Sequence, residues 1–327
     1  MTIGLTYDLR SEYLKEGYSE EETAEFDREE TIESIEKALQ SFGYTTDRIG
    51  HIRNLTARLA KGDRWDMVFN IAEGMYGIGR EAQVPALLDA YKIPYVFSDP
   101  LVLALTLHKG MCKHVIRDCK IPTPDFAVIH KPSDCDAVKL PMPLFAKPVA
   151  EGTGKGIDGK SKITSKKELK AVCTELLEKF KQPVLVETFL PGREFTVGIV
   201  GTGKEARVIG GMEIIFGELA EQDIYSFYNK EHYTNLVNYR KIEDKEILEQ
   251  CTNISLSAWI KLGCVDGGRI DLRMDSNNIV NFMEVNPLAG LRPIHSDLVI
   301  IANMHGIEYT ELIKMILNSA ISRNNLK

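Results

Sequence analysis

The sequence predicts an α/β domain at the amino terminus, followed by α+β units. Strand-like and helix-like segments alternate over residues 1–98, which is typical of a parallel sheet covered by helices on both faces. Further along, strands follow one another without a helix between them, which indicates antiparallel sheets. The chain has 327 residues, enough for two or three domains. The predicted domains are 1–98, 99–186 and 187–327.

The elements of the first domain are predicted from their apolar spacing. Helix 20–39 carries Phe26, Ile32, Ile35 and Leu39 at helical spacing, so one face of it would pack on the sheet. The other predicted helices are 52–61 and 81–92, and the predicted strands are 2–8, 44–50, 65–71 and 93–98.

The remaining chain is predicted to alternate between helices and paired strands. One helix is expected over 100–119, and two strands within 182–201 are expected to turn at Pro191 and Gly192. The polar stretch 225–240 is assigned no element. The other predicted strands are 127–130, 143–150, 206–216, 267–275 and 278–286, and the other predicted helices are 165–180, 244–263 and 308–319.

The composition excludes several classes of protein. A net charge of −7 gives no reason to expect nucleic acid or an acidic membrane as a partner, because both favour basic surfaces. The sequence contains neither a signal peptide nor an apolar stretch of about 18 residues, so a cytoplasmic location is expected. Its cysteines lack C-x-x-C spacing and are expected to be reduced thiols: Cys112, Cys119, Cys135, Cys173, Cys251 and Cys264.

Residues 154–161, GKGIDGKS, match the phosphate-binding P-loop pattern G-x-x-x-x-G-K-[ST]. A P-loop binds phosphate at the start of a helix that begins at its Gly-Lys-Ser. Here a capping box formed by Ser165 and Glu168 starts the helix four residues after Ser161. Residues 160–163 are then interpreted as a short strand, and residues 151–159 as the tip of a β-hairpin. The sequence therefore predicts a Gly-rich hairpin and not a P-loop.

Lys147 favours a ligand for this hairpin. It lies within the apolar segment LFAKPVA, which is predicted to be a buried strand. A lysine in such a strand is costly unless its charge is paired, which favours a phosphate or carboxylate partner. A Gly-rich turn without any ligand remains the alternative.

A second cluster of polar residues is predicted near the carboxyl terminus. Arg269 and Asp271 share one face of a strand, and Glu284 and Asn286 share one face of the next, because side chains two apart point the same way. Carboxylate and amide oxygens suit Mg²⁺, which binds substrate phosphates as well. Arginine supplies a bidentate donor for an anionic transition state. A salt-bridged sheet surface remains the alternative interpretation.

Several motifs together resemble the ATP-grasp superfamily and, within it, the D-alanine:D-alanine ligase group. FAKPVAEGTGKGI is similar to the family's strand and phosphate-covering loop, and VLVETFLPGREFTV to its adenine-binding linker. GGRIDLRMD and NFMEVNPLAG resemble its oxyanion arginine and magnesium ligands. The segment VFNIAEGMYGIGREAQVPALLDAYKIPYVFSDP resembles a first-domain pattern, and LALTLHKGMCKHVIRDCKIPTP the next helix. The likeness covers most of the chain in the right order.

The resemblance implies an ATP-grasp fold and a set of site residues. Arg269, Lys230 and Thr153 would be catalytic, with Arg269 stabilising the tetrahedral intermediate. Asp271, Glu284 and Asn286 would bind two Mg²⁺ ions, with Mn²⁺ as an alternative. The implied ATP-binding residues are Lys109, Lys147, Gly152, Thr153, Gly154, Glu187, Phe189, Leu190, Glu194 and Lys230.

The implied activity is ATP-dependent ligation of two amino acids. One carboxylate attacks the γ-phosphate of ATP to give an acyl phosphate, and an amine then displaces phosphate and forms an amide. Closure of the Gly-rich hairpin would keep water from the acyl phosphate. The implied partners are ATP and small amino-acid substrates, and a homodimer is expected from the family.

The sequence departs from the family pattern around the amino-acid pockets. Thr153 stands where the loop commonly has serine, Glu231 where a tyrosine follows the lysine, and Glu73 where a histidine precedes glycine. The family's usual amino-terminal turn is missing, so Glu25 or Asp27 is the candidate for the acid that orients the first substrate; a solvated helix face remains possible.

The carboxy-terminal substrate loop, NPLAGLRPIHSD, has one extra residue. His295 and Ser296 match the family's His-Ser, Gly290 lies in the same loop, and Arg292 adds a cation that could bind a substrate carboxylate. The reaction class is therefore better determined than the substrate pair. Other amino-acid or dipeptide substrates, a non-catalytic ATP-binding regulator and an ATP-grasp carboxylase remain as alternatives.

Overall fold

The computed structural model describes residues 1–216 and 237–326, and their strands form three sheets. The first sheet is parallel throughout, whereas neighbouring strands in the other two are antiparallel. This arrangement confirms the predicted fold class. The domain boundaries proposed from the sequence stay predictions.

The first sheet lies within the first hundred residues and has the strand order β2-β1-β3-β4. Its central strands are almost completely buried, as expected for a parallel sheet covered on both faces. The strands are β1 (Thr2–Thr6), β2 (Thr45–Gly50), β3 (Met67–Asn70) and β4 (Tyr95–Val96).

The helices that accompany this sheet differ from the prediction at one place. They are α1 (Arg10–Lys15), α2 (Glu29–Ser41), α3 (Ile52–Ala60) and α4 (Gln83–Ala90). The helix predicted to start at residue 20 starts at residue 29, and α1 was not predicted. The backbone of Asp27 instead pairs with that of Asp8 and Arg10, at 3.0 and 2.9 Å. These tertiary hydrogen bonds hold the chain extended at Asp27, and residues 20–25 form turns where the apolar spacing indicated a helix.

The single helix predicted over 100–119 is two helices, α5 (Pro100–Leu107) and α6 (Lys109–Asp118). The chain leaves the helical conformation at His108, whose ring nitrogen accepts the N–H of Met111 at 3.1 Å. A new helix therefore begins at Lys109. The backbone N–H of Lys109 donates to the carbonyl of Val149 at 3.0 Å, which brings the start of α6 next to the strand carrying Lys147.

The second sheet has the order β5-β8-β6-β7 and packs against one helix, α7 (Lys166–Phe180). Its strands are β5 (Phe126–Ile129), β6 (Leu144–Pro148), β7 (Lys162–Ile163) and β8 (Val184–Thr188). Ser165 caps α7 by accepting the N–H of Glu168 at 3.3 Å. Strands β6 and β7 pair as antiparallel strands, so the Gly-rich segment between them connects the two strands of a hairpin. The P-loop interpretation is therefore excluded.

The third sheet has the order β11-β10-β9-β12-β13 and packs against α8 (Lys245–Leu262). Its strands are β9 (Glu194–Val200), β10 (Arg207–Phe216), β11 (Val237–Lys241), β12 (Gly267–Met274) and β13 (Val280–Asn286). Strand β11 was not predicted because its sequence is mostly polar.

The strands on either side of Pro191 and Gly192 belong to different sheets, so this turn is a crossing between sheets and not a hairpin. The N–H of Gly192 donates to the carbonyl of Met274 at 3.0 Å. A Cβ at residue 192 would lie 2.7 Å from that carbonyl oxygen, which requires glycine.

Two carboxy-terminal helices connect the first and third sheets. They are α9 (Asp297–Met304), which was not predicted, and α10 (Tyr309–Arg323). Ile3 of β1, Ile35 of α2, Leu298 of α9 and Leu312 of α10 belong to one buried cluster. The two sheets therefore share a core, which keeps the space between them in a defined shape.

The six cysteines are free thiols, and all except Cys119 are buried. Among the described residues, no helix combines the length and apolar character needed to cross a lipid bilayer.

Candidate active site

Two cavities lie next to each other between the sheets. The first has an empty volume of about 840 Å³, part of which is open solvent, and is lined by residues of β6, β8, β12 and β13 and by the Gly-rich segment. The second has an empty volume of about 690 Å³, part of which is open solvent, and is lined by residues of the first domain, by the end of β13 and by the loop after it. They share Lys109, Glu151, Gly152, Thr153 and Glu284. A ligand in one cavity can therefore contact a ligand in the other.

Strand register brings the carboxy-terminal polar cluster together as predicted. Arg269 of β12 pairs with Asn286 of β13, and Asp271 pairs with Glu284. Directly opposite residues of an antiparallel pair project from the same face. All four side chains therefore lie on one face of the third sheet, next to the shared wall of the cavities.

Arg269 is held in place by carboxylates. Its Nη1 donates to Asp271 Oδ1 at 2.6 Å and lies 3.4 Å from Asp297 Oδ2. Burial lowers the pKa of the guanidinium, but the nearby carboxylates, Asp271 first, outweigh burial and raise the pKa. Asp271 also accepts from Thr196 Oγ1 at 3.0 Å and from Asn286 Nδ2 at 3.2 Å. This network fixes a permanent positive charge at the edge of the second cavity.

Two lysines face the same carboxylate from different elements. Lys109 Nζ lies 3.5 Å from Glu284 Oε2, and Lys147 Nζ lies 3.9 Å from the same oxygen. Lys109 Nζ also donates to the carbonyl of Glu151 at 2.6 Å. Two cations converging at the junction of the cavities create a site suited to phosphate oxygens.

Glu187 lies behind these cations in a fully buried ionic chain. Its oxygens lie 2.9 Å from Lys113 Nζ and 3.1 Å from Lys147 Nζ. Burial opposes ionisation of Glu187, but the two lysines hold its pKa below the ordinary value. Burial lowers the pKa of Lys113, whereas Glu187 and Glu284 overcome burial and raise the pKa of Lys147. Lys147 therefore stays charged where it faces the cavity.

The far end of the first cavity is aromatic and apolar. Phe189 and Leu190 are buried there, with Lys162 Nζ 4.3 Å and the Arg273 guanidinium carbon 5.3 Å from the centre of the Phe189 ring. Arg273 Nη1 also lies 3.1 Å from Glu194 Oε2. A flat apolar surface beside a carboxylate suits a purine base and a ribose hydroxyl.

The Gly-rich segment has the backbone of an anion-binding loop. Thr153, Gly154 and Gly156 have φ values of 51°, 75° and 73°. In a turn of this kind successive backbone N–H groups can point toward one side, where they can bind an anion. Thr153 Oγ1 is buried and has no hydrogen-bond partner within residues 1–216 and 237–326, so it is available to a ligand in either cavity.

The oxygen donors at the junction fit a magnesium ion in chemistry and number. Asp271, Glu284 and Asn286 offer two carboxylates and one amide, and Mg²⁺ is usually held by one or two carboxylates together with substrate phosphates. No group of three or more histidine, cysteine, aspartate or glutamate side chains with metal-binding geometry occurs in the described part of the chain. A metal here would therefore depend on a bound phosphate for further ligands.

The second cavity is acidic on its first-domain side, where Glu25, Glu73 and Glu81 line it. Burial opposes ionisation of Glu25, but Arg80 and Lys155 lower its pKa to about 2. Burial, opposed by Arg80, raises the pKa of Glu81 to about 7, and burial together with Glu81 raises the pKa of Glu73. Glu73 and Glu81 would therefore gain most from a cationic ligand.

Other residues predicted from the sequence lie away from this cavity. Asp27 is not among its lining residues, and burial raises the pKa of that carboxyl to about 7. Of the carboxy-terminal loop, Gly290 lines the cavity and the other three predicted residues do not. Arg292 instead lies 3.3 Å from Glu30 Oε2 of α2.

The rest of that loop has local contacts. The backbone N–H of Arg292 donates to Ser296 Oγ at 2.9 Å, and burial together with Arg292 lowers the pKa of His295. Lys230 and Glu231 lie outside the described residues.

Comparison with known proteins identifies the family. The family model described as "D-ala D-ala ligase C-terminus" matches residues 115–318, more than half of the chain. A D-alanine–D-alanine ligase of Bordetella avium is 30% identical over 291 residues, which cover 88% of this chain and 87% of that protein. The chain belongs to the D-alanine–D-alanine ligase family. It is accordingly an ATP-dependent ligase that forms peptide bonds.

The chain is also similar to an uncharacterized protein and to a solved structure. An uncharacterized protein of Sinorhizobium fredii, y4sG, is 32% identical over 262 residues, covering 79% of this chain and 75% of that protein. The crystal structure of a Bacillus anthracis D-alanine–D-alanine ligase complexed with ATP superposes with a TM-score of 0.73 at 22% identity, covering 99% of both chains. That likeness concerns the fold, and it agrees with the ATP-grasp fold expected from the sequence.

Several site residues of the ligase were missed by sequence reasoning. Lys113, Glu81, Arg80 and Lys155 all contact or line the site, and none was singled out. Lys155 sits in the Gly-rich segment four residues after Glu151, but that spacing indicates an ion pair only on a helix, and this segment is not helical. Lys113 lies in an otherwise ordinary amphipathic helix, so the sequence gave no sign that it is fully buried.

Proposed function

We propose that this ligase joins two amino acids, with ATP in the first cavity and the amino acids in the second. The observation that carries the proposal is the shared wall of the two cavities. Lys109, Thr153 and Glu284 line both, and Arg269 lines the second next to them. A γ-phosphate and a substrate carboxylate would meet at this wall, where transfer between them requires close approach.

In this proposal the first cavity binds ATP through separate groups for each part of the nucleotide. Phe189, Leu190 and the strand that carries Glu187 would contact adenine. Glu194 would bind the ribose. Lys109, Lys147 and the N–H groups of Thr153 and Gly154 would bind the phosphates, with Gly152 lining the cavity beside them and Lys230 as a further phosphate ligand.

Asp271, Glu284 and Asn286 would hold Mg²⁺. When bound, the ion supplies positive charge next to the phosphates and lowers the repulsion toward an incoming carboxylate.

The residues at the shared wall would assist both halves of the reaction. A substrate carboxylate oxygen attacks the γ-phosphorus, the bond to ADP breaks, and an acyl phosphate forms. The amine of the second substrate then attacks the carbonyl carbon, and phosphate leaves with the former carboxylate oxygen. Arg269 would donate to the oxyanion of this tetrahedral intermediate, a role that requires a permanent charge. The Gly-rich segment would exclude water meanwhile.

The charges of the second cavity favour substrates with a free ammonium group. Glu73 and Glu81 are the carboxylates lining it whose pKa is raised, with burial as the main cause, so a bound cation would stabilise their ionised form. D-alanine, named for the Bordetella and Bacillus relatives, has the required ammonium and carboxylate. We propose a D-alanine-type amino acid at one position and leave the second partner open to other amino acids or a dipeptide.

We further propose that the ligase is cytoplasmic, as expected from its sequence, and homodimeric, as expected from its family. Size-exclusion chromatography with light scattering tests the dimer directly.

The proposed reaction is tested by a phosphate-release screen with pairs of D- and L-amino acids, followed by mass measurement of the product. We expect at least one pair to give a dipeptide with ATP and Mg²⁺ present, and no product when either is omitted. ADP release without any coupled product across the whole panel would contradict the proposal.

A further inference from the structure

Buried ionic groups attach the Gly-rich segment of the ligase to the first domain. Lys155 belongs to this segment, and its side chain is only 8% exposed. Its Nζ lies 2.5 Å from Glu151 Oε2 within the segment and 3.3 Å from Glu25 Oε2, which belongs to the turns before α2. One lysine thus connects two parts of the chain that are far apart in sequence.

Arg80 completes the connection from the other side. Its Nη2 lies 2.8 Å from Glu25 Oε2, and its Nη1 donates to the carbonyl of Ala150 at 2.7 Å. The second oxygen of Glu25 accepts the backbone N–H of Gly152. The first domain therefore holds the backbone of the segment at two points, on both sides of Glu151.

The charges of this cluster are balanced. Glu25 and Glu151 are opposed by Arg80 and Lys155, and all four side chains are at most 13% exposed. A buried ionic cluster is costly to desolvate and persists only with good geometry, so it stabilises one arrangement of the groups strongly over others. Here that arrangement is the one in which the segment lies against the first domain.

We propose that Glu25, Arg80 and Lys155 are positioning residues that keep the Gly-rich segment closed over the phosphate end of ATP. This inference rests on the proposed function, because it assumes that ATP binds beneath the segment. Entry of ATP requires the segment to lift, and lifting separates Lys155 and Glu151 from the Glu25–Arg80 pair. The same contacts form again on closure.

The proposal also changes the role expected for Glu25. Both of its carboxylate oxygens are engaged, one by Arg80 and Lys155 and the other by Gly152. Glu25 therefore acts on the segment, and the substrate ammonium is left to the other carboxylates of the second cavity.

The test compares Lys155→Met with Lys160→Met. Lys160 also lies between β6 and β7, but its side chain is 68% exposed and its carboxylate partner, Glu175, is 3.5 Å away. Hydrogen exchange of the amides of residues 151–157 is measured in each protein alone and with Mg²⁺ and a non-hydrolysable ATP analogue. We expect exchange about tenfold faster in Lys155→Met and unchanged in Lys160→Met.

A second readout separates positioning from general damage. If closure protects the acyl phosphate, the ratio of phosphate released to peptide formed should rise about threefold or more in Lys155→Met, with Lys160→Met matching the wild type. Equal exchange in Lys155→Met and wild type, or an equal increase in both variants, would overturn the proposal.

Two further variants cover the case in which Lys155→Met does not fold. Glu25→Gln keeps the shape of the side chain and removes its charge. In Gly152→Ala, the new Cβ would lie 2.6 Å from Glu25 Oε1 and push the segment from its contact. Both should speed exchange of residues 151–157, and unchanged exchange in both would also overturn the proposal.

The exchange measurement on the protein alone does not depend on catalysis. If wild-type ligase forms no peptide with any amino-acid pair, the proposed function fails, while the comparison of Lys155→Met with Lys160→Met still decides whether the ionic cluster closes the segment.

Discussion

The two cavities of the ligase differ in how their charges are balanced. In the first cavity Lys147 lies near both Glu187 and Glu284, and Lys109 lies near Glu284, so cations and carboxylates alternate. In the second cavity burial raises the pKa of both Glu73 and Glu81, and Glu81 raises the pKa of Glu73 further. The first arrangement suits a polyanion with its metal, and the second suits a cation.

This difference explains why the two cavities were not equally predictable. Binding of phosphate and Mg²⁺ demands particular residue types at fixed places on paired strands, and such patterns are visible in a sequence. An ammonium group, by contrast, can be bound by any carboxylate that folding brings to the cavity. Glu73 and Glu81 reach it from a loop and a short 3₁₀ turn, whose positions depend on tertiary packing.

The largest effect is expected from removing a cation of the first cavity. Lys147→Ala should lower kcat/KM about 10³-fold, because phosphoryl transfer loses a fixed charge and Glu187 loses one partner. Phosphate release under saturating amino acids measures the effect, and Glu284→Ala should act similarly. Peptide formation at the wild-type rate in both variants would show that this cavity is not the site of phosphoryl transfer.

The next effect concerns stability. Lys113→Met should lower the free energy of unfolding by about 3 kcal/mol, because it leaves Glu187 buried with Lys147 as its remaining cation. Urea denaturation followed by circular dichroism measures it. Lys167→Met, at an exposed position of α7, should change stability by about 0.5 kcal/mol or less. An equal loss of unfolding free energy in both variants would mean that the buried ionic chain contributes no more to stability than an exposed lysine does.

Replacement of the arginine at the junction tests a role confined to the chemical step. Arg269→Lys should lower kcat about 100-fold with little change in KM for ATP, because lysine keeps the charge and loses the planar pair of donors. Arg207→Lys, at an exposed position of β10, should leave both constants unchanged. A rise in KM for ATP with normal kcat would instead place Arg269 in nucleotide binding.

The smallest effect concerns pH and the second cavity. Because the pKa of Glu81 is raised to about 7, its charged form increases as pH rises through 7. KM for the substrate that brings the ammonium group should therefore fall about tenfold between pH 6 and pH 8. In Glu81→Gln this pH dependence should be largely lost, as initial rates across the range would show. The same slope in Glu81→Gln would assign the titration to another group.

Sequence reasoning reached the third sheet and its site more fully than the first domain. The spacing of Arg269, Asp271, Glu284 and Asn286 was enough to place them on one face, because strand pairing alone brings them together. The helix predicted from residue 20 was wrong at its start, because residues 20–25 form turns and backbone contacts of Asp27 with Asp8 hold the chain extended just before α2. Such long-range contacts leave no periodic signal in a sequence, and neither does the ionic cluster around Glu25.

Transfer of oxygen from substrate to phosphate tests the central claim most directly. The ligase is supplied with ATP, Mg²⁺ and an amino-acid pair found in the screen, with the carboxylate of the first substrate labelled with ¹⁸O. If the carboxylate attacks the γ-phosphate at the junction of the two cavities, the released phosphate carries one ¹⁸O for each peptide formed. Peptide formation with unlabelled phosphate would contradict the account.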